Sequence, residues 1–501
     1  MKHGKHYSHP GTFLLEGIKS GFHIVNASDI QNYSHMKNYA SLKKYKEAVE
    51  NQILFELEHG HYIKAVEHPK IISALGAIPK GNSSQIRLIH DCRRPCGIDV
   101  NEFADQNPFK YQTLQHAVDA ITPGCFMAKV DLSQGYRVVK IHPSNYTATG
   151  LHYTFDGDKH PTIMVDTRLP FGESRSPEIF NELTQAVRVI MSSVYGYNGI
   201  VAYLDDFIIV QTSYESCKSA LQALLGVLRE LGFWINYSKV EGPKQIITFL
   251  GIILNSVTMK LTLPKKKVDD LFKTLCNVKR KPKITKKQLQ SLAGKLNWAT
   301  QCVYGGRFYL RRLINSITKL ARPWHRTRVT KDMLADIDWW LQFLSCFNGE
   351  TDMVDPRPAT PIHIDACNIA AGAYFKGHWV YTPFKTHWPA AQSMHINYKE
   401  VLSLEPAIAH WAPLLKNHKV IVHTDNLAAA AIINKGSSRD PFVMESLRRV
   451  FWWSASFNFR LHAIYIPGAT NYMADCVSRL HEPNSFDRFL SLSGACSFVI
   501  Y

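Results

Sequence analysis

The chain has 501 residues, 46% of them hydrophobic and 11% aromatic, so it is too long for one ordinary domain and too apolar for a disordered segment. Lys and Arg outnumber Asp and Glu by 58 to 41, a formal net charge of +17, which points to an anionic partner, nucleic acid before membrane. No apolar run approaches the ~20 residues of a spanning helix, and the start MKHGKHYSHPG lacks a signal-peptide core, so an intracellular protein, cytoplasmic or nuclear, with reduced cysteines is expected.

Residues 1–40 are polar and His-rich and read as a loose N-terminal extension. Residues 41–58 have a helical pattern, and IISALGAIPKGNSSQIRLIHD reads as two short strands joined by a turn. Mixed α/β patterning continues to residue 254. Residues 255–348 form a basic helical segment, residues 349–361 (GETDMVDPRPATP) a linker, residues 362–482 a second α/β unit and residues 483–501 a tail. Of the ten cysteines only Cys92 and Cys96 are close together, and no zinc-ligand spacing occurs.

The charge is localised. Residues 255–328 hold nineteen Lys or Arg against two acidic residues, Asp269 and Asp270, which accounts for the whole net excess. A polycationic stripe on an otherwise balanced chain suits phosphate tracking. Leu289, Leu292, Leu296 and Trp298 keep helical spacing, and Gly305-Gly306 interrupts the run, so a small helical bundle with a basic face is expected. Its candidate nucleic-acid contacts are Lys265, Lys266, Lys267, Lys295, Arg307, Arg311 and Arg312.

Two sets of carboxylates stand in apolar surroundings. FMAKVDLSQGYRVVKIHP puts Asp131 at the end of an apolar strand, and IVAYLDDFIIV puts Asp205 and Asp206 between two apolar runs. Unpaired carboxylates about 4 Å apart repel by roughly 4 kcal/mol at an effective dielectric near 20, so such clusters usually share cations, and Mg²⁺ suits them best. An isolated Asp-Asp pair would be an ordinary hairpin turn. In the C-terminal unit, Asp365 falls on a first strand, Glu400 on a helix, Asp425 at a strand end in VIVHTDN and Asp475 in NYMADCVSRL, all among apolar residues.

With these residues in order, the sequence resembles reverse transcriptases over some 200 positions. KVDLSQGY is similar to that family's first catalytic motif, RLPFGESRSPEIFNELTQAV to the next, YLDD to its signature tetrapeptide, and FLGIIL to the strand that holds the primer end. The resemblance implies an α/β (α+β) multidomain fold: a right-hand polymerase of fingers, palm and thumb, then a helical connection and a ribonuclease H-like α/β domain. It implies that Asp131, Asp205 and Asp206 bind two Mg²⁺ ions, with Mn²⁺ able to substitute. Lys80 and Arg87 would grip the incoming triphosphate, Tyr136 would gate against the ribose 2′-hydroxyl, and Lys239 would lie near the leaving pyrophosphate. Ser176 is expected as a helix N-cap with Pro177 at the first helical position.

The carboxylate order Asp365, Glu400, Asp425, Asp475 matches ribonuclease H, which implies two further Mg²⁺ ions there. Tyr465 stands where many relatives have a histidine, and His462 would face away from it on a strand. RLIHDCRRP, LPFGESRSPEIF and HTDNLAAAAIINKG resemble DIRS-like retroelement polyproteins, with gypsy-like LTR elements as the alternative. The expected activity is RNA- and DNA-directed DNA synthesis with ribonuclease H cleavage. Its partners would be an RNA template, a DNA primer, the RNA–DNA hybrid and deoxynucleoside triphosphates, with no membrane. The alternative is a catalytically idle nucleic-acid-binding protein derived from such an element.

Overall fold

Continuous apolar runs bounded by turn residues become strands buried on both faces, and Phe126–Asp131, Ile200–Tyr203 and Asp206–Gln211 behave this way in the computed structural model, which describes residues 10–79, 86–105, 107–493 and 498–500. With Glu241–Lys244 they form an antiparallel sheet in the order 241–244, 126–131, 206–211, 200–203. The helices Ser176–Ser193 and Tyr214–Glu230 pack on it around Phe180, Phe207, Ile209 and Leu224, all fully buried. A five-stranded sheet that includes Tyr62–Lys64, Gly150–Tyr153 and Thr162–Asp166, together with the hairpin Ala74–Pro79 and Ile86–Asp91, completes this first unit, residues 1–250 with 254–258.

Two N-terminal expectations differ from the structure. Residues 10–20 are helical, and Phe22, Ile24, Val25 and Ile30 are buried in the main core rather than loose. The Asn145 side chain holds them: its Oδ1 accepts from the amides of Ile24 and Val25 at 2.7 and 3.1 Å, and its Nδ2 donates to the Val25 carbonyl at 3.1 Å. The helix expected over 41–58 is two, Ala40–Lys44 and Lys46–Glu58, interrupted at Tyr45 where φ is −119°.

The second unit, residues 251–253 with 259–501, begins with the basic segment. It contains the helices Lys265–Lys279, Lys286–Ala299, Arg311–Thr318 and Lys331–Cys346, and a two-stranded ribbon of Lys283–Thr285 with Arg326–Arg328. Thr285 and Gln288 form a reciprocal capping box at the start of the second helix, satisfying two otherwise unpaired amides. A six-stranded mixed sheet follows, in the order 460–465, 419–424, 359–366, 370–375, 378–383, 498–500. Its core of Ile362, Ile364, Val420 and Val422 also receives Phe308 from the basic segment. Gly305 permits this approach: at φ 77° it sits where a Cβ would fall 1.7 Å from the Phe451 ring. The expected linker is partly a strand, since Glu350–Asp352 pairs with Lys260–Thr262. The whole is a mixed α/β multidomain fold, and among the described residues no helix is long and apolar enough to cross a membrane.

Candidate active sites

In the first unit, the register of the sheet sets Asp131 directly opposite Asp206. Like charges opposed on neighbouring antiparallel strands destabilise a sheet, so this pairing calls for a cation. Asp206 also faces Tyr203 across a two-residue turn of Leu204 and Asp205. Leu204 adopts φ 51°, a left-handed conformation that costs a branched residue about 1–2 kcal/mol. Its side chain packs on the core and so holds the turn in place. Asp205 Oδ1 is buried without a hydrogen-bond donor. Burial, then Asp206 and Asp131, push the Asp205 carboxyl up to about 6, while Arg87 and Lys239 oppose the shift. Burial and Asp131 likewise raise Asp206.

A cavity of about 500 Å³ opens on these carboxylates and is lined also by Arg87, Phe171 and Lys239. The exposed Arg87 lays its guanidinium 5.2 Å from the centre of the Phe171 ring. Tyr136 stacks on Phe171 at 5.0 Å and meets Phe180 edge-on at 5.3 Å, so its ring is fixed between two others. Lys239 Nζ rests on both oxygens of Asp131 at 2.9 and 3.0 Å, and Asn236 Nδ2 donates to the same carboxylate at 3.1 Å. Lys80 lies outside the described residues.

Gly135 has no space for a side chain: a Cβ there would lie 2.4 Å from Asp205 Oδ1 and 2.3 Å from Phe180 Cζ. Gly135→Ala is expected to displace Asp205 or Phe180 and to lower the melting temperature by several degrees, read by a thermal melt. The helix Ser176–Ser193 differs from expectation in its cap. Arg175 occupies the N-cap position, and the Ser176 hydroxyl donates to Glu173 Oε2 at 2.8 Å. The buried Glu173 carboxylate takes the first amides itself, accepting from Arg175 N and Ser176 N at 2.7 Å each. A carboxylate there both satisfies donors and suits the positive helix end.

The cavity is also lined by a charge cluster that the sequence alone does not reveal. Arg137, 4% exposed, donates through Nε and Nη2 to Glu56 Oε2 at 3.0 and 2.9 Å, and through Nη1 to Asp166 Oδ1 and Oδ2 at 3.0 and 2.9 Å. His61 Nδ1 lies 2.7 Å from Glu56 Oε2, and His90 Nε2 3.4 Å from Asp166. Asp166 ends an apolar strand, TIMVD, with the same sequence signal that singled out Asp131.

In the second unit, Asp365, Glu400 and Asp425 offer oxygens within 4.8 Å of one another. Burial, with Asp365 and Asp425 beside it, pushes Glu400 up to about 9, and burial lifts Asp365 to about 6. Glu400 Oε2 is buried without a donor. A group of carboxylates with an unpartnered buried oxygen fits a hard divalent cation. Asp475 is not in this group; its Oδ1 accepts from Arg479 Nε at 2.8 Å, although its charge adds to the raising of Asp365 and Asp425. Ser478 Oγ donates to Asp365 Oδ2 at 2.5 Å, and Gly468 leaves room beside Asp425, where a Cβ would stand 3.0 Å from Oδ2. Tyr465 is 45% exposed and lies opposite Thr424, next to Asp425. His462 is three residues away on the same strand and therefore on its other face.

The seven basic candidates are not alike. Lys265, Lys266, Lys267 and Arg307 are exposed, with Lys267 Nζ 4.5 Å from the centre of the Trp298 ring. Lys295 is already engaged by Asp270 at 2.7 Å, and Arg312 by the buried Asp336 at 3.0 Å. Arg311 is half-buried, with Nε unpartnered.

The profile of the reverse transcriptase (RNA-dependent DNA polymerase) family matches residues 78–254. The Gag-Pol polyprotein of gibbon ape leukemia virus is 27% identical over 190 residues, covering 38% of this chain and 11% of that polyprotein. The transposon Tf2-3 polyprotein of Schizosaccharomyces pombe is 21% identical over 456 residues, 85% of this chain and 30% of the relative. This chain thus spans less than a third of those curated relatives. The foamy viral protease-reverse transcriptase in complex with RNA/DNA hybrid aligns at TM-score 0.55 and 18% identity, over 88% of this chain and 56% of that one. Its complex with double-stranded DNA aligns at TM-score 0.54 and 17% identity, over 89% and 87%. The fold is therefore that of the foamy viral reverse transcriptases, and residues 78–254 match the reverse transcriptase family.

Proposed function

We propose that the chain extends a DNA primer on RNA and DNA templates with deoxynucleoside triphosphates, and cuts RNA in the resulting RNA–DNA hybrid. The observation that carries the reading is the direct opposition of Asp131 and Asp206, with Asp205 against Gly135, at a cavity that Arg87 and Phe171 also line. Asp131, Asp205 and Asp206 would hold Mg²⁺, two ions with Mn²⁺ as a substitute, and such ions supply charge stabilisation for the attacking and leaving oxygens. Around them, Arg87 and Lys80 bind the triphosphate, Arg87 by a fork that matches phosphate geometry. Lys239 moves from Asp131 toward the departing pyrophosphate, and Tyr136, braced by Phe171 and Phe180, excludes a 2′-hydroxyl. The foamy viral structures with nucleic acid support a duplex as partner.

In this reading residues 41–254 are fingers and palm, 255–348 thumb and connection, and 362–482 ribonuclease H, in an intracellular protein of the DIRS-like group. The nuclease carboxylates are Asp365, Glu400, Asp425 and Asp475. Asp425→Asn is expected to stop release of labelled RNA from a hybrid, by about a hundredfold or more, with DNA synthesis unchanged. The test of the whole is primer extension on an RNA template with Mg²⁺, Mn²⁺ or neither. Extension only with metal supports the assignment; a shifted hybrid with no added nucleotide in any condition favours the idle binding protein.

A further inference from the structure

We propose that the ribbon of Lys283–Thr285 and Arg326–Arg328, with the Trp324 indole at its end, binds single-stranded nucleic acid. The ribbon's register puts Lys283 directly opposite Arg328 and Thr285 opposite Arg326. Directly opposed residues share a face, so three cations stand together while Ile284, 1% exposed, faces inward. A lone two-stranded ribbon is marginal in water, and two cations opposed across it weaken it further. None of Arg280, Lys281, Lys283, Lys287, Arg326 or Arg328 forms an ion pair with a described carboxylate, and all are exposed. Lys279, next to them, is by contrast paired with Asp338 at 2.7 Å. The arrangement costs folding energy that an anionic ligand would offset.

Trp324 decides which anion. The ring is 64% exposed, with the Arg322 guanidinium 5.5 Å from its centre. The loop that carries it is tied to the neighbouring helix: the amides of Lys286 and Lys287 donate to the carbonyls of His325 and Pro323 at 2.9 and 3.0 Å, and Lys286 Nζ donates to the Ala321 carbonyl at 3.1 Å. An exposed indole on a fixed loop beside a row of cations matches the way single strands are held, with bases stacked on aromatic rings and the backbone on a basic track. Inside a duplex the bases are stacked and paired and offer no free face to such a ring. The proposal deepens the polymerase reading and rests on it only for choosing nucleic acid among polyanions.

The test uses the full chain without nucleotides and measures anisotropy of a labelled oligo(dT) of about 12 nucleotides and of a blunt mixed-sequence duplex. The triple variant Lys283→Gln, Arg326→Gln, Arg328→Gln should weaken single-strand binding at least about tenfold and flatten the log–log salt slope by about 2. Trp324→Ala should weaken it at least about fivefold with the slope unchanged, and Trp324→Phe should restore it. Duplex affinity should stay at the wild-type value in all three, and matching melts will show that each folds. Unchanged single-strand affinity in either the triple variant or Trp324→Ala overturns the proposal, as does an equal loss on the duplex. A wild-type protein that binds oligo(dT) through the ribbon but extends no primer would refute the polymerase reading and leave this one standing.

Discussion

Asp205→Asn and Asp206→Asn are each expected to lower nucleotide incorporation by about a thousandfold or more while leaving hybrid affinity largely intact. Asn keeps the shape of the two-residue turn and removes the charge, so the sheet register that opposes position 206 to Asp131 survives. The Asp206→Asn variant should in fact melt higher than the wild type, since removing one of two opposed like charges relieves up to about 1 kcal/mol. A rise in melting temperature with a collapse in synthesis separates a ligand carboxylate from a structural one. Synthesis near the wild-type rate in Asp206→Asn would refute the role given to this pair.

Arg137→Met should destabilise the protein by about 3–5 kcal/mol, because it leaves Glu56 and Asp166 buried without their guanidinium. Spread over a unit of this size, that lowers the melting temperature by roughly 10 °C. Arg137→Lys restores the charge but not the fork that meets both carboxylates, so it should recover only part of the loss. Acid provides an independent check. His61 and Arg137 hold the Glu56 carboxyl down at about 2 against an ordinary value of 4.5, outweighing the burial that acts the other way. A carboxyl depressed in the folded state contributes stability that is fully present above 4.5 and is lost as the pH falls toward about 2. The gap in denaturant midpoint between wild type and Glu56→Gln should therefore close across that window. A gap that persists at pH 2 would show that Glu56 acts by shape rather than by charge.

Much of the site could be read from the sequence because charge is conspicuous against apolar residues. Asp131 at the end of FMAKVD and Asp205-Asp206 inside IVAYLDDFIIV announce themselves in this way, and the strands fall where continuous apolar runs and turn residues place them. The carboxylates of the second unit were legible only as an ordered set resembling ribonuclease H, since nothing local says that Glu400 meets Asp365 and Asp425. The Arg137 cluster was hidden for the same reason: its five members come from four separated segments, so each alone is a polar residue in an ordinary stretch. Asn145 is a further case. A single asparagine satisfies backbone groups some 120 residues away and turns a polar N-terminal stretch into core. The basic segment was legible as charge, but the division of labour within it was not, because whether Lys295 meets solvent or Asp270 depends on packing. Tyr45 interrupts a helix with neither Gly nor Pro at the break, and no local signal marks it.

The Phe308 ring lies in the core of the six-stranded sheet, stacked 5.1 Å from Phe451, and the Tyr304 hydroxyl oxygen accepts from the Leu461 amide at 2.9 Å. A chimera that takes its six-stranded sheet from a homologue through a junction within residues 349–361 would therefore receive a sheet without the aromatic plug that seals it. A viable crossover has to fall upstream of Tyr304, so that the donor brings its own plug. The transplanted segment is then longer than the sheet alone, and its upstream edge lies inside the cationic helical stretch.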